Sequence, residues 1–422
     1  MMTKRRFLFF ALATLLLSCC GSAQPAQGNG EQPSDDGRYV VILSMDAFRH
    51  DLPQMCQTPT LDSIASVGVF AEIKPCFPSN TFPNHYSMAT GLHPDHHGIV
   101  NNSFYDEQIG KSYSISDNTA RKNVAFYKGE PIWNTVERGG QVAHVYTWVG
   151  VEAKINGHQP TRWVEYSSSR TRRQLADMVL KALCNPNVKE IPNLTMWYFD
   201  EPDAIEHAHT TLSPETKNVV EDIDYVLAYF MREVRKSPVY DKINFIFTAD
   251  HGMTELSPER YYNLYSLIPN KIQYYYNSYP VTLKPYSTAS INEVYETLKA
   301  HQSEGHYRVW LRDELPEEFH YGSFKERIYP IVLLPDKGWR VVYKSDDSLL
   351  PKENTGSHGF DPAEPDMHMV FYGMGPAFKS GYTHDRVFQN LNDYLIICHI
   401  LGVEPAANDC VWEDIEGLFK TK

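Results

Sequence analysis

The sequence predicts an α/β protein: a mostly parallel central sheet with helices on both faces, and a smaller α+β insertion. Three observations predict the class. Short β-rich apolar runs alternate with helical periodicity from Tyr39 onward. Residues able to do chemistry gather just after those runs, at the strand ends where ligands bind in open α/β sheets. The alternation breaks once, from about Pro258 to Lys344.

Taken in order, YVVILSM (39–45) is a continuous apolar run, as a strand buried on both faces requires. TPTLDSIASVG follows as a helix, with Pro59 near its start and Gly68 at its end. VAHVYTW, LTMWYF, NFIFTA and MHMVFYG are further strands. RRQLADMVLKAL places Leu175, Val179 and Leu183 on one helical face. Ser213 as N-cap with Pro214 in the first turn opens a helix carrying Val220, Ile223, Leu227, Phe230 and Val234 on one side. The insertion, 258–344, holds tyrosine-rich runs, one helix (INEVYETLKAH) and the short strands YRVWL, YPIVLL and WRVVY.

At 422 residues, 42% hydrophobic and 22% charged, the chain has ample material for a large core. Its net charge of −13 repels a nucleic-acid polymer, so an anionic substrate needs local positive charge, which a bound metal supplies most simply. MMTKRR followed by FLFFALATLLLS reads as an export signal, too short to span a bilayer. Leu16-Leu17-Ser18-Cys19 resembles the bacterial lipobox, which makes 1–19 a lipoprotein signal peptide and Cys19 the lipidated residue. Residues 20–37 are polar and rich in Gly, Pro and Ser, a flexible linker to a catalytic domain spanning 38–422. The expected location is the periplasm or cell surface of a bacterium, held to the membrane only by that lipid. Five further cysteines (Cys56, Cys76, Cys184, Cys398, Cys410) lack Cys-x-x-Cys spacing, and an odd number leaves at least one unpaired in an oxidising compartment.

A census of the strand ends gives Asp46 after the first run, then Asp200, Glu201, Asp203 and His207 after LTMWYF, and Asp250 and His251 after NFIFTA. His358 lies in a Gly-rich loop before MHMVFYG. Any one of these has an ordinary explanation as a helix cap or a satisfied histidine. Together they form the oxygen and imidazole donor set of a catalytic metal site, and so many carboxylates need more than one cation. Asp203 and His207 share a helical face, whereas His209 lies off it. Thr81, in PCFPSNTFPNH, reads as an N-cap whose hydroxyl sits at the anion-favouring end of a helix and becomes a nucleophile if its pKa is lowered. Cys76-Phe77-Pro78-Ser79 is close to the sulfatase signature, but Asn80 stands where that chemistry requires arginine. His93, His96 and His97 read as loop structure.

ILSMDAFRHD, FPSNTFPNHYSMATGLHPDHHGIVNN, FDEPDAIEHAH, TADHGM and GSHGFDPAEPDMHMVFYGMGPAFK resemble, in order, the motifs of the nucleotide pyrophosphatase/phosphodiesterases of the alkaline phosphatase superfamily. The resemblance implies two zinc ions. One is held by Asp46, Asp250, His251 and the Thr81 oxygen, the other by Asp203, His207 and His358. It further implies that Asn102 and the Thr81 backbone N–H bind a phosphate oxygen, that Phe82 and Tyr198 flank the leaving-group pocket, and that Tyr166 stacks on a base. The chain departs from the family at Glu206, where glycine precedes the histidine, and at Thr210-Thr211, where Gly-Pro often follows. The expected reaction is zinc-dependent hydrolysis of a phosphodiester or pyrophosphate, in a nucleotide or nucleotide derivative, through a phospho-threonine. Phosphomonoester, phosphonoacetate and choline-lipid hydrolysis on the same scaffold are the chemical alternatives. A non-catalytic surface lipoprotein binding through its tyrosines is the alternative of another class.

Overall fold

The computed structural model describes residues 38–346 and 352–421. The expected signal peptide, lipobox and linker lie outside them. Among the described residues no helix is long and apolar enough to cross a membrane.

Nine strands form the central sheet and are numbered here in chain order. They are β1 (Tyr39–Met45), β2 (Val69–Lys74), β3 (Ala143–Tyr146), β4 (Arg162–Val164), β5 (Leu194–Phe199), β6 (Ile243–Thr248), β7 (Met369–Met374), β8 (Tyr382–Thr383) and β9 (Phe388–Gln389). Across the sheet the order is β8-β2-β7-β6-β1-β5-β3-β4, with β9 also paired to β2. Every residue of β1, β5 and β6 is buried, because helices cover both faces and leave no solvated side to alternate toward. Helices Pro59–Val67, Arg172–Leu183 and Pro214–Val234 pack together as one group, and Thr81–Thr90, Ile132–Arg138 and Asp393–Leu401 as another. Ser213 caps its helix as expected, its hydroxyl accepting the Thr216 N–H at 3.1 Å.

All pairings are parallel except those of β7, which runs antiparallel to both β2 and β6. This reversal is what admits His358 to the site: a residue before an antiparallel strand lies at the same sheet edge as residues after parallel ones. The short edge strands, and the helix Asp393–Leu401, which is apolar nearly all round, carry little periodicity and escape a reading by pattern.

Residues 256–343 hold a second core. A four-stranded antiparallel sheet orders Ile272–Tyr276, Val281–Pro285, Ile331–Pro335 and Tyr307–Leu311, with helix Ile291–Ala300 against it. Its interior includes Val281, Leu283, Val294, Leu298, Ile331, Leu333 and Val341. Arg327 ties this region to the main core. Its Nε donates to Asp106 Oδ2 at 2.6 Å, and its Nη1 donates to the carbonyls of Gly98 and Phe126. Both charged side chains are 3% exposed or less. The five cysteines 56, 76, 184, 398 and 410 are all unbridged, so no disulfide among them supports the fold.

Replacing Arg327 by Ala leaves the Asp106 carboxylate buried without its cation, an error costing about 3–5 kcal/mol. Denaturant unfolding should show the midpoint falling accordingly. An unchanged midpoint would remove the clamp.

Candidate active site

The ends of β1, β5 and β6 each deliver candidate ligands. Asp46 directly follows β1. The next residue, Ala47, takes a left-handed φ of +60°, and its N–H donates to Asp250 Oδ1 at 3.1 Å. Such strained backbone in a non-glycine residue persists where surrounding contacts enforce it. Asp203 and His207 lie one turn apart on the helix Asp203–His209 that follows β5, and Asp250 and His251 follow β6. One ligand atom from each of Asp46, Asp250 and His251 falls within 4.8 Å of the others, and the same holds for Asp203, His207 and His358. The two groups adjoin: the His251 and His358 rings stack with centroids 3.8 Å apart.

The three histidines are oriented alike. His251 Nδ1 donates to Gly252 O at 2.9 Å, His207 Nδ1 to Gly356 O at 2.9 Å, and His358 Nδ1 to Ser79 O at 3.0 Å. A carbonyl only accepts, so Nδ1 carries a proton in all three, and in the neutral imidazole each Nε2 presents a lone pair. His251 Nε2 lies 3.4 Å from Asp46 Oδ1, 3.3 Å from Asp250 Oδ2 and 3.1 Å from Thr81 Oγ1. His207 Nε2 and His358 Nε2 lie 3.3 and 3.7 Å from Asp203 Oδ1. Two of the accepting carbonyls come from glycines that cannot be replaced in place. A Cβ would stand 2.2 Å from Asp366 O at Gly252, and 2.5 Å from Glu206 O at Gly356.

The donor set fits divalent metal ions. Asp46 Oδ1, Asp250 Oδ2 and Asp203 Oδ1 are buried and accept no hydrogen bond, and they are the same oxygens that face the imidazole lone pairs. Buried acceptors gathered without a donor need a cation. Carboxylate oxygen and imidazole nitrogen, each histidine held by a carbonyl behind it, is the usual outer arrangement of such ions.

The electrostatics agree. Burial, with Asp250 and Asp203 nearby, drives the Asp46 carboxyl well above the carboxylate range, and burial lifts Asp250 to about 8. Burial lowers His251 to about 3 and holds His358 far below the ordinary imidazole value. At His207 burial opposes protonation, but the Asp203 carboxylate outweighs it and raises the imidazole to about 9.

Thr81 is 8% exposed. It is the first residue of its helix, which corrects the expectation that it is the N-cap. That position belongs to Asn80, whose amide is used elsewhere, donating to Asn101 Oδ1 and Tyr279 O. Asn102 Oδ1 accepts the Phe82 N–H at 2.9 Å, which turns its amide nitrogen the other way. The Phe82 ring lies near Tyr113. Tyr198 donates its hydroxyl to Asp46 Oδ2, and Tyr166, 40% exposed, donates to Asp200 Oδ2 at 2.7 Å with its ring 6.5 Å from that of Tyr198. His97 is structural, its Nε2 close to Ser87 Oγ and Pro83 O. Two neighbours have no role in the motif reading. His85 is fully buried one turn along from Thr81, a spacing that could have signalled it. Glu206 is fully buried with neither oxygen hydrogen-bonded, and burial, only partly offset by Arg49, pushes its pKa well up.

Comparison with known proteins decides the family. Residues 40–361 match the model of the type I phosphodiesterase / nucleotide pyrophosphatase family. The chain belongs to this family. It is an enzyme of the phosphodiesterase/nucleotide pyrophosphatase class, a hydrolase. It is 32% identical to the Homo sapiens ectonucleotide pyrophosphatase/phosphodiesterase family member 5, over all of this chain and 84% of that one. It is also 32% identical to a Bos taurus bis(5'-adenosyl)-triphosphatase, over 94% of this chain and 84% of the other. Solved structures of murine ectonucleotide pyrophosphatase / phosphodiesterase 5 are 28% identical, with a TM-score of 0.83 covering 91% of this chain and all of theirs. One of them is an inactive threonine-to-alanine variant in complex with AMP.

A sign follows for the metal-free protein. Asp250, raised to about 8 from 3.8, and His207, raised to about 9 from 6.5, favour the fold while protonated, and those contributions are lost as pH rises toward 8 and 9. His251, lowered to about 3 from 6.5, opposes the trend up to pH 6.5 and not beyond. Chelated protein should therefore lose thermal stability between about pH 6.5 and 9, and metal-loaded protein should lose less. Parallel profiles for the two would contradict the assignment of Asp250 as a ligand.

Proposed function

We propose that this enzyme hydrolyses phosphodiester or pyrophosphate bonds of nucleotides or nucleotide derivatives through a phospho-threonine formed on Thr81, with two zinc ions as cofactors. The observation that carries the reading is the placement of Thr81 Oγ1. It lies 3.1 Å from His251 Nε2, beside the unpartnered oxygens of Asp46 and Asp250, at the mouth of a helix N-terminus. Asp46, Asp250, His251 and the Thr81 oxygen would hold one ion, and Asp203, His207 and His358 the other. When bound, these ions supply Lewis-acid polarisation of the phosphoryl oxygens and lower the pKa of the threonine hydroxyl.

In the first step the Thr81 Oγ–P bond forms as the bond from phosphorus to the leaving oxygen breaks. In the second, water attacks phosphorus from the side of the departed group and returns the threonine. Two in-line displacements leave the configuration at phosphorus unchanged. Asn102, with Oδ1 committed to the Phe82 N–H, has both amide hydrogens available for a non-bridging phosphoryl oxygen. The Thr81 N–H is a second donor for that oxygen. Phe82 and Tyr198 would flank the leaving group, and Tyr166 would stack on a base. Support for a nucleotide substrate comes from the murine relative crystallised with AMP, whose inactivating change removes the residue type assigned here as nucleophile. The sequence upstream of residue 38 supports an exported, lipid-anchored protein in the periplasm or on the cell surface, and relatives named as ectoenzymes support export alone.

Thr81→Ala should abolish hydrolysis of bis(nitrophenyl) phosphate while the zinc-to-protein ratio stays near wild type. Asn102→Ala should lower kcat by roughly 10²–10³-fold. Wild-type turnover by the alanine variant at position 81 would refute the nucleophile. A mono(nitrophenyl) phosphate rate above the diester rate would make the enzyme a phosphomonoesterase instead.

A further inference from the structure

Among the described residues, His85 is a fully buried imidazole beside the candidate active site that neither ligand group uses. Its Nδ1 lies 3.0 Å from the Thr81 carbonyl oxygen and 3.3 Å from Asp250 Oδ2. The Thr81 carbonyl only accepts, so the proton is on Nδ1 and is bonded to it, while Asp250 Oδ2 stands against the same nitrogen as a charge contact. The ring is wedged edge-on between Trp148 and Tyr198, with centroids 5.1 and 4.7 Å away. The Trp148 Nε1–H donates to the His85 carbonyl at 3.0 Å, and the Tyr198 hydroxyl donates to Asp46 Oδ2. One side chain thus touches the backbone of the threonine, one carboxylate directly, and the other carboxylate through a single aromatic ring.

We infer that His85 is a positioning residue, which fixes the distance between Thr81 and the Asp46/Asp250 pair by donating its Nδ1–H to the Thr81 carbonyl while the same ring edge stands against Asp250 Oδ2. The inference rests on the phosphoryl-transfer reading for its kinetic consequence and on the geometry alone for its effect on metal retention. The helix Thr81–Thr90 and the β6 end that carries Asp250 are separate elements, and the helix places His85 one turn after Thr81, at the point where a hydrogen-bond donor reaches both. A displacement of about 1 Å between nucleophile and ligands is enough to cost on the order of 100-fold in rate. Groups behind metal ligands typically contribute 10–100-fold in affinity or activity, roughly the scale expected here.

The test uses the full-length, zinc-loaded enzyme and two substitutions. His85→Leu keeps the bulk and removes the donor, while His85→Asn keeps an N–H in about the Nδ1 position. With bis(nitrophenyl) phosphate, His85→Leu should lower kcat roughly 10–100-fold with KM changed less than about threefold. Zinc release to an excess of chelator should accelerate by a similar factor, and His85→Asn should restore most of both. Active-site titration of the folded fraction separates this from misfolding, because a purely structural role lowers the amount of active enzyme and leaves kcat per active site unchanged. Equal behaviour of the Leu and Asn variants, or a Leu variant with wild-type kcat and zinc release, would overturn the inference. Faster zinc release from the Leu variant of an enzyme inert toward the diester would uphold the positioning role and refute only the phosphodiesterase reading.

Discussion

The site depends on a concentration of negative charge and lone pairs that the protein alone does not neutralise. Three carboxylate oxygens, on Asp46, Asp250 and Asp203, point at three imidazole lone pairs, and no hydrogen-bond donor stands between. Two ionised carboxylates within 4.8 Å repel by roughly 3–4 kcal/mol at an effective dielectric of 20, several times the net value of one hydrogen bond. Protonating Asp250, as burial favours, relieves part of this, and a divalent cation in each group relieves it completely. The carbonyls of Gly252, Gly356 and Ser79 enforce the arrangement, because each fixes its histidine with Nε2 turned inward whether or not an ion is present.

The fold brings these groups together by a simple rule. Parallel strands β1, β5 and β6 end at one edge of the sheet, so the residues that follow them converge there although they lie up to two hundred positions apart. The antiparallel β7 supplies the exception that completes the second group, since its approach, rather than its exit, passes that edge. The helix Thr81–Thr90 adds the hydroxyl and an N-terminal dipole directed at an anion. Arg327 and Asp106 carry the same logic outward, pinning the tyrosine-rich region to the hairpin that begins immediately after Asn102.

Much of this was legible in the sequence, and for identifiable reasons. A buried strand is a continuous apolar run, so YVVILSM, LTMWYF and NFIFTA stand out, and an acid directly after each is a conspicuous departure from the run. What stayed hidden depends on orientation and on partners distant in sequence. The reversal of β7 leaves no mark on MHMVFYG, because a strand buried on both faces reads the same in either direction. Asn80 rather than Thr81 caps the helix, yet spends its amide on Asn101 and Tyr279, partners that helix periodicity cannot name. His85 carries no mark of its own in PCFPSNTFPNH, and its value lies in a carboxylate 165 positions away. Glu206, visible as a departure from the family's glycine, is buried without a partner, which no local pattern foretells.

The central claim is that two cations occupy the two groups of ligands, with Thr81 facing the first. Anomalous diffraction at the zinc edge, from crystals grown with that metal, tests it most directly. The account predicts two peaks, one enclosed by Asp46, Asp250 and His251 with the Thr81 oxygen against it, the other enclosed by Asp203, His207 and His358. Peaks lying elsewhere, or none at these six side chains, would contradict it.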